Sequence, residues 1–170
     1  MNERMSESAK NDLATAARNV LRESFQEIVI ENLAPVQIPI GPVETLTLTW
    51  EQRCRARRKC TTDEGTKVAL VLPRGTVLSD GVLLHNQSDK TIQVKAQAED
   101  VLVVSPSDAM QMCVIAHHLG NWHRSLQLND DGTIVVEYDS PLAKWLEQKK
   151  ISCQKAHLSY HPNLKGAAHD

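Results

Sequence analysis

The stretch SPSDAMQMCVIAHHLGNWHRSLQL, residues 105–128, decides how this chain folds. Its middle, AMQMCVIAHHL, is apolar on most sides, as a buried helix would be. Ser107 or Asp108 can cap the start of that helix, and Gly120 can stop it. RSLQL then reads as a strand.

DVLVV (100–104) precedes the helix as a strand, and TIVVEY (133–138) follows RSLQL across the turn NDDG. SPLAKWLEQKK reads as a short helix with Ser140 at its cap, Pro141 in its first turn and lysines at its end. ISCQKAHLSY is a last strand. The order βαββαβ is that of a split βαβ, or ferredoxin-like, domain. It places a boundary near Ala98–Asp100 and a domain over 99–170.

Upstream, residues 34–98 carry a β pattern. TLTLTW alternates, VALVL leads to the turn PRGT, and VLLH, the turn NQSDK and TIQVKAQ follow. Several short strands at close spacing predict a small β domain, so the fold class is α+β. Within it, RCRARRK read as a strand sets Arg53, Arg55, Arg57 and Lys59 on one face and Cys54, Ala56, Arg58 and Cys60 on the other. That face would suit an acidic partner or nucleic acid. With no aromatic side chains interleaved to stack bases, a solvated face that resists edge pairing is the simpler reading. Residues 1–33 form an extension, in which Leu13, Ala16, Ala17, Val20, Leu21 and Phe25 recur at helical spacing, as in a docked or frayed terminal helix.

Aromatic residues make up only 4% of the 170, so the core must be built from Val, Leu, Ile and Ala. A net charge of −2 gives no field favouring nucleic acid or an acidic membrane. No apolar run is long enough to span a bilayer, and MNERMSESAK lacks an apolar signal core. The cysteines Cys54, Cys60, Cys113 and Cys153 form no CxxC, which argues against a zinc ribbon and for a cytoplasmic protein with reduced thiols. There is no glycine-rich phosphate loop, GxSxG or paired-carboxylate signature. Cys113 and His117 have the spacing of a nucleophile–base pair, but a thiol on an apolar helix is inert. The expectation is that the chain is not an enzyme.

The histidines then matter most. Three of seven lie in AHHLGNWH, residues 116–123. His118 and His123 are five apart with Gly120 between them, so they cannot chelate as a helical pair. His117 and His118 point about 100° apart on a helix, so one of them faces the core or an interface. His123 falls where the chain enters the next strand, on a stiff turn near the surface. One imidazole is a poor metal site, but a twofold axis places two side by side. Imidazole suits Ni, Zn, Cu or Fe, and these residues alone do not choose among them. His157, His161 and His169, on or after the last strand, are further ligand candidates.

HLGNWH (118–123) resembles the HLGNRH signature of the UreE family, urease accessory proteins that act as nickel metallochaperones, with Trp122 where arginine is usual. SLQL, TLTL, the R-x-R-x-R around Arg53–Arg57, LVLPRGTVLSDG (70–81), DVLVV and AHLSYHPNLKG (156–166) also resemble family segments, in order and at matching spacing, from about Thr45 to Gly166. His161 stands where an acidic residue is common, and residues 1–30 or so have no recognised counterpart.

The resemblance implies a β domain similar to the peptide-binding domain of Hsp40 chaperones, then a ferredoxin-like metal-binding domain that forms a homodimer. It implies that His123 pairs with its symmetry mate on a nickel ion, with His118 at most an accessory ligand. His169, as the tail candidate, or His157 would complete the shell. Zinc or copper would be expected to bind in vitro as well. Tyr138 and Ser140 occupy the positions of a peripheral HxH pair, so that site is not expected. The implied partners are the GTPase of the urease assembly complex and the urease apoprotein. The alternative is an interaction module of such a complex, in which the β domain binds protein and metal is incidental.

Overall fold

The computed structural model describes residues 27–166. The expected terminal helix over 6–25 and His169 lie outside them. In chain order the elements are β1 (Ile28–Ile30), β2 (Val43–Leu48), α1 (Trp50–Arg53), β3 (Arg57–Thr61), β4 (Lys67–Val71), β5 (Leu83–Asn86), β6 (Thr91–Ala96) and β7 (Ala98–Ser105). Then come α2 (Ala109–Asn121), β8 (Gln127–Leu128), β9 (Ile134–Glu137), α3 (Ser140–Gln148) and β10 (Ser152–Ser159). Among the described residues no helix is long and apolar enough to cross a membrane.

The chain divides into two compact units. Residues 27–46, 55–77 and 82–94 belong to the first, and 47–54, 78–81 and 95–166 to the second. The α+β class expected from the pattern is the class observed.

Small sheets supply the β pattern of the first half. One has the order β1-β4-β3, with β1 parallel to β4 (Ile28 opposite Val68) and β3 antiparallel to it (Arg57 opposite Val71). The other has the order β2-β6-β5. Aliphatic side chains fill the first unit, among them Ile30, Leu46, Val68, Leu70, Leu83 and Ile92. The predicted turns fall in place: Gly75 of PRGT has φ +80, a left-handed conformation that glycine reaches without a Cβ clash.

The basic stretch is not one strand. Thr49 and Gln52 form a capping box, each side chain bonding the other's backbone N–H at 3.2 Å, and this starts a helical turn at Trp50. Alternation therefore begins only at Arg57, with Arg57 and Lys59 exposed and Arg58 and Cys60 half-buried. Arg53 is 1% exposed instead of sharing their solvated face. Its guanidinium donates to the carbonyls of Leu78 (3.3 Å) and Tyr160 and lies 5.2 Å from the Trp50 ring centre. Burial pushes its pKa down, and Glu99 nearby opposes that.

The second unit carries βαββαβ as expected. Its sheet has the order β10-β7-β9-β8 with every neighbour antiparallel. Strand alternation splits its side chains between two faces. Leu102, Val104, Ile134 and Val136 pack with Ile115 and Leu119 of α2 and Leu142 and Leu146 of α3. Val101 and Val135 pack on the other face with Tyr160.

Three details differ from expectation. First, α2 is not buried all round: Ile115 and Leu119 are covered, but Met110 is 74% and Val114 44% exposed. Second, α2 runs through Gly120 to Asn121, so glycine does not stop it. A Cβ at Gly120 would meet nothing, and the left-handed residue that turns the chain is His123, at φ 53. Third, α3 is capped by Asp139 and not Ser140, and Asp139 makes no side-chain capping bond. Its carboxylate is instead taken by the guanidinium of Arg124 at 2.8 Å.

Candidate metal centre

The site forms where α2 runs out. Asp108 accepts the Gln111 N–H at 2.8 Å and caps the helix start. At the other end the N–H groups of Trp122, His123 and Arg124 donate to the carbonyls of His118 (3.2 Å), Gly120 (3.0 Å) and Leu119 (3.0 Å). These bonds close the helix in a tight knot, with His123 as its left-handed, exposed residue. A side chain with a Cβ costs roughly 1–2 kcal/mol in that conformation. The ion pair of Arg124 with Asp139 follows directly and ties the turn to the start of α3.

The three clustered histidines separate by environment. His117 is exposed and its Nε2 lies 3.0 Å from the Asn121 amide nitrogen, so it accepts that N–H in its neutral form. His118 is half-buried. Its ring stacks on Trp145, centroids 3.7 Å and planes 2° apart, and is tilted against Trp122 at 4.4 Å. Its Nε2 is buried with no hydrogen-bond partner. Burial first, and then His117 and Lys149, hold its pKa below the ordinary value. Packing against the two indoles closes the His118 Nε2 off from solvent, whereas the His123 side chain is exposed.

The late histidines are also distinct. His157 on β10 faces outward, its Nδ1 2.9 Å from an oxygen of Asp100 on β7. Hydrogen bonds from Lys155 and then His157 hold the Asp100 carboxyl below its usual pKa. The exposed His161 donates its backbone N–H to Gln127 at 2.9 Å. Residues 160–166 then run back along 125–128. Leu126 and Leu164 exchange N–H···O bonds of 2.8 and 3.0 Å, and the Asn163 side chain bonds both backbone groups of Leu128 at 2.9 and 2.8 Å. Gly166 donates to the Ser125 hydroxyl at 3.1 Å.

Among the described residues, no three His, Cys, Asp or Glu side chains gather closely enough to hold one ion. His123 offers a borderline nitrogen donor, suited to nickel, copper or zinc, on a turn held by backbone bonds. With no such cluster among the described residues, an ion at His123 would need donors from elsewhere to complete its shell. The packing of His118 against two tryptophans and the close approach of Gly166 were not anticipated from sequence. Trp122, in place of the usual arginine of the signature, was the one visible signal for the first.

The chain matches a family model described as UreE urease accessory protein, N-terminal domain, over residues 27–97, and one described as UreE urease accessory protein, C-terminal domain, over residues 99–170. A Burkholderia thailandensis protein named urease accessory protein UreE is 40% identical over 123 residues, which are 72% of this chain and 57% of that protein. Proteins of the same name from Burkholderia mallei and Burkholderia pseudomallei are each 39% identical over 123 residues, 72% of this chain and 60% of theirs. The match thus spans less than two thirds of these relatives' length.

Proposed function

This chain belongs to the UreE family of urease accessory proteins, and on that premise we propose that it is a cytoplasmic, homodimeric nickel carrier that serves urease maturation and is not itself an enzyme. The observation that carries this reading is the exposed, left-handed His123 at the end of α2, the helix whose outer side presents Met110 and Val114 to solvent. An apolar helix face of that kind suits a second copy of the chain, and a twofold axis near it would bring His123 beside its mate. Two imidazoles would hold the ion at an open interface, with His169 or His157 completing the shell. His118, closed between Trp122 and Trp145, would act by supporting the turn.

Release would proceed by ligand exchange, from this shallow site to the GTPase of the urease assembly complex and on to the apoprotein. Metal binding needs an imidazole free of its second proton, so acid would favour release. Zinc and copper would bind the same donors in vitro. Titrating the wild-type protein with nickel by calorimetry tests this: the expected result is one tight site per two chains. A protein that takes up no nickel at micromolar concentration, or one ion per monomer, contradicts it.

A second reading, an interaction module with incidental metal, draws on the first unit. Val36, Ile38 and Ile40 are exposed along a loop pinned to Asn86, which bonds the backbone of all three at 2.8 to 3.1 Å. Such an apolar ribbon suits an extended peptide. A protein that dimerises normally without nickel uptake would favour this reading.

A further inference from the structure

We infer that Gly166 is a positioning residue for His123: only glycine leaves room for the returning C-terminal segment to lie against the His123 carbonyl and so hold the left-handed turn that presents the imidazole. The inference rests on the proposed role of His123 and adds the device that aims it. A Cβ built at Gly166 would fall inside contact distance of the His123 carbonyl carbon and oxygen, and 3.0 Å from the carbonyl carbon of Arg124. All three atoms are backbone, so no flexible side chain can swing aside. Gly166 does not itself have a left-handed φ, so the demand for glycine is one of space alone.

The segment on which it sits cannot easily drift. Tyr160 is buried and its hydroxyl donates to the Ser125 carbonyl. Asn163 grips Leu128 from both sides, Leu164 pairs with Leu126, and Gly166 donates to the Ser125 hydroxyl. Each bond falls on the five residues that follow the His123 turn. A methyl group at 166 must therefore lift the segment off Ser125 or rotate the peptide after His123, and either movement re-aims the ring. His123 is one of two non-glycine residues with positive φ among those described, so its conformation is held by its surroundings and not by its own preference.

The test compares Gly166→Ala with Gly132→Ala, which strains a left-handed glycine (φ +81) in the β8–β9 turn of the same unit. Nickel affinity is measured by calorimetry, and the His123 amide resonance is followed in the metal-free protein. Gly166→Ala is expected to bind nickel at least about tenfold more weakly and to shift the His123 amide, while Gly132→Ala does neither. Asn163→Ala keeps the glycine but drops both bonds to Leu128, and should weaken binding by about threefold in a protein that folds. Wild-type affinity in Gly166→Ala, whatever Asn163→Ala does, or an equal loss in Gly132→Ala, overturns the inference. His123→Ala is titrated in parallel. Lost binding there with none lost in Gly166→Ala removes only this inference, whereas full binding in His123→Ala removes the ligand assignment and this inference together.

Discussion

His118 lies flat on Trp145, ring centres 3.7 Å apart and planes within 2°, with Trp122 closing over it at 4.4 Å. The buried Nε2 has no hydrogen-bond partner, so the protonated ring would hold an N–H there without an acceptor. The stack joins α2 to α3 one turn before His123.

Acid should therefore loosen this end of the molecule. Burial, His117 and Lys149 lower the His118 pKa in the folded state, so the unfolded chain binds that proton more readily. The stack's contribution is whole above about pH 6.5, the unfolded value, and is lost as pH falls through the lower folded value. Urea midpoints followed by tryptophan fluorescence should fall between pH 7.5 and 5, and His118→Phe, which stacks but does not titrate, should flatten that dependence. An unchanged slope in His118→Phe would assign the acid sensitivity to other groups.

Arg53 should be a stability residue. Its guanidinium serves the carbonyls of Leu78 and Tyr160 at a fully buried position. Arg53→Ala leaves those acceptors unpaired and should cost about 3 kcal/mol in urea unfolding. Arg53→Lys should recover part of this, since one ammonium cannot reproduce the planar fork.

The outer face of α2 should set the oligomeric state. Met110, Val114 and His117 follow one another at helical spacing, and the first two are apolar and exposed. Val114→Asp should leave the protein monomeric in sedimentation equilibrium and, with it, abolish the proposed shared nickel site. A Val114→Asp protein that stays dimeric would place the interface elsewhere.

Periodicity carried most of the fold. DVLVV, TIVVEY and ISCQKAHLSY are strands because their alternation serves two packed faces, and βαββαβ follows from their order. What periodicity missed was set by tertiary partners. Arg53 reads as one basic residue among several until the capping box of Thr49 and Gln52 turns it inward. Asp139 caps α3 without a side-chain bond because Arg124 holds its carboxylate. At the candidate site, Gly120 resembled a helix stop, yet His123 takes the left-handed position, since the bonds to Gly120 and Leu119 close the turn one residue past Trp122. The contact of Gly166 with His123 joins residues 43 positions apart, and no local pattern announces it.

His123 is proposed as the principal metal ligand. The decisive measurement is a calorimetric titration of His123→Ala with nickel. The expected result is an affinity at least about a hundredfold below that of the wild type, with the oligomeric state unchanged. One ion per dimer bound with wild-type affinity would contradict it.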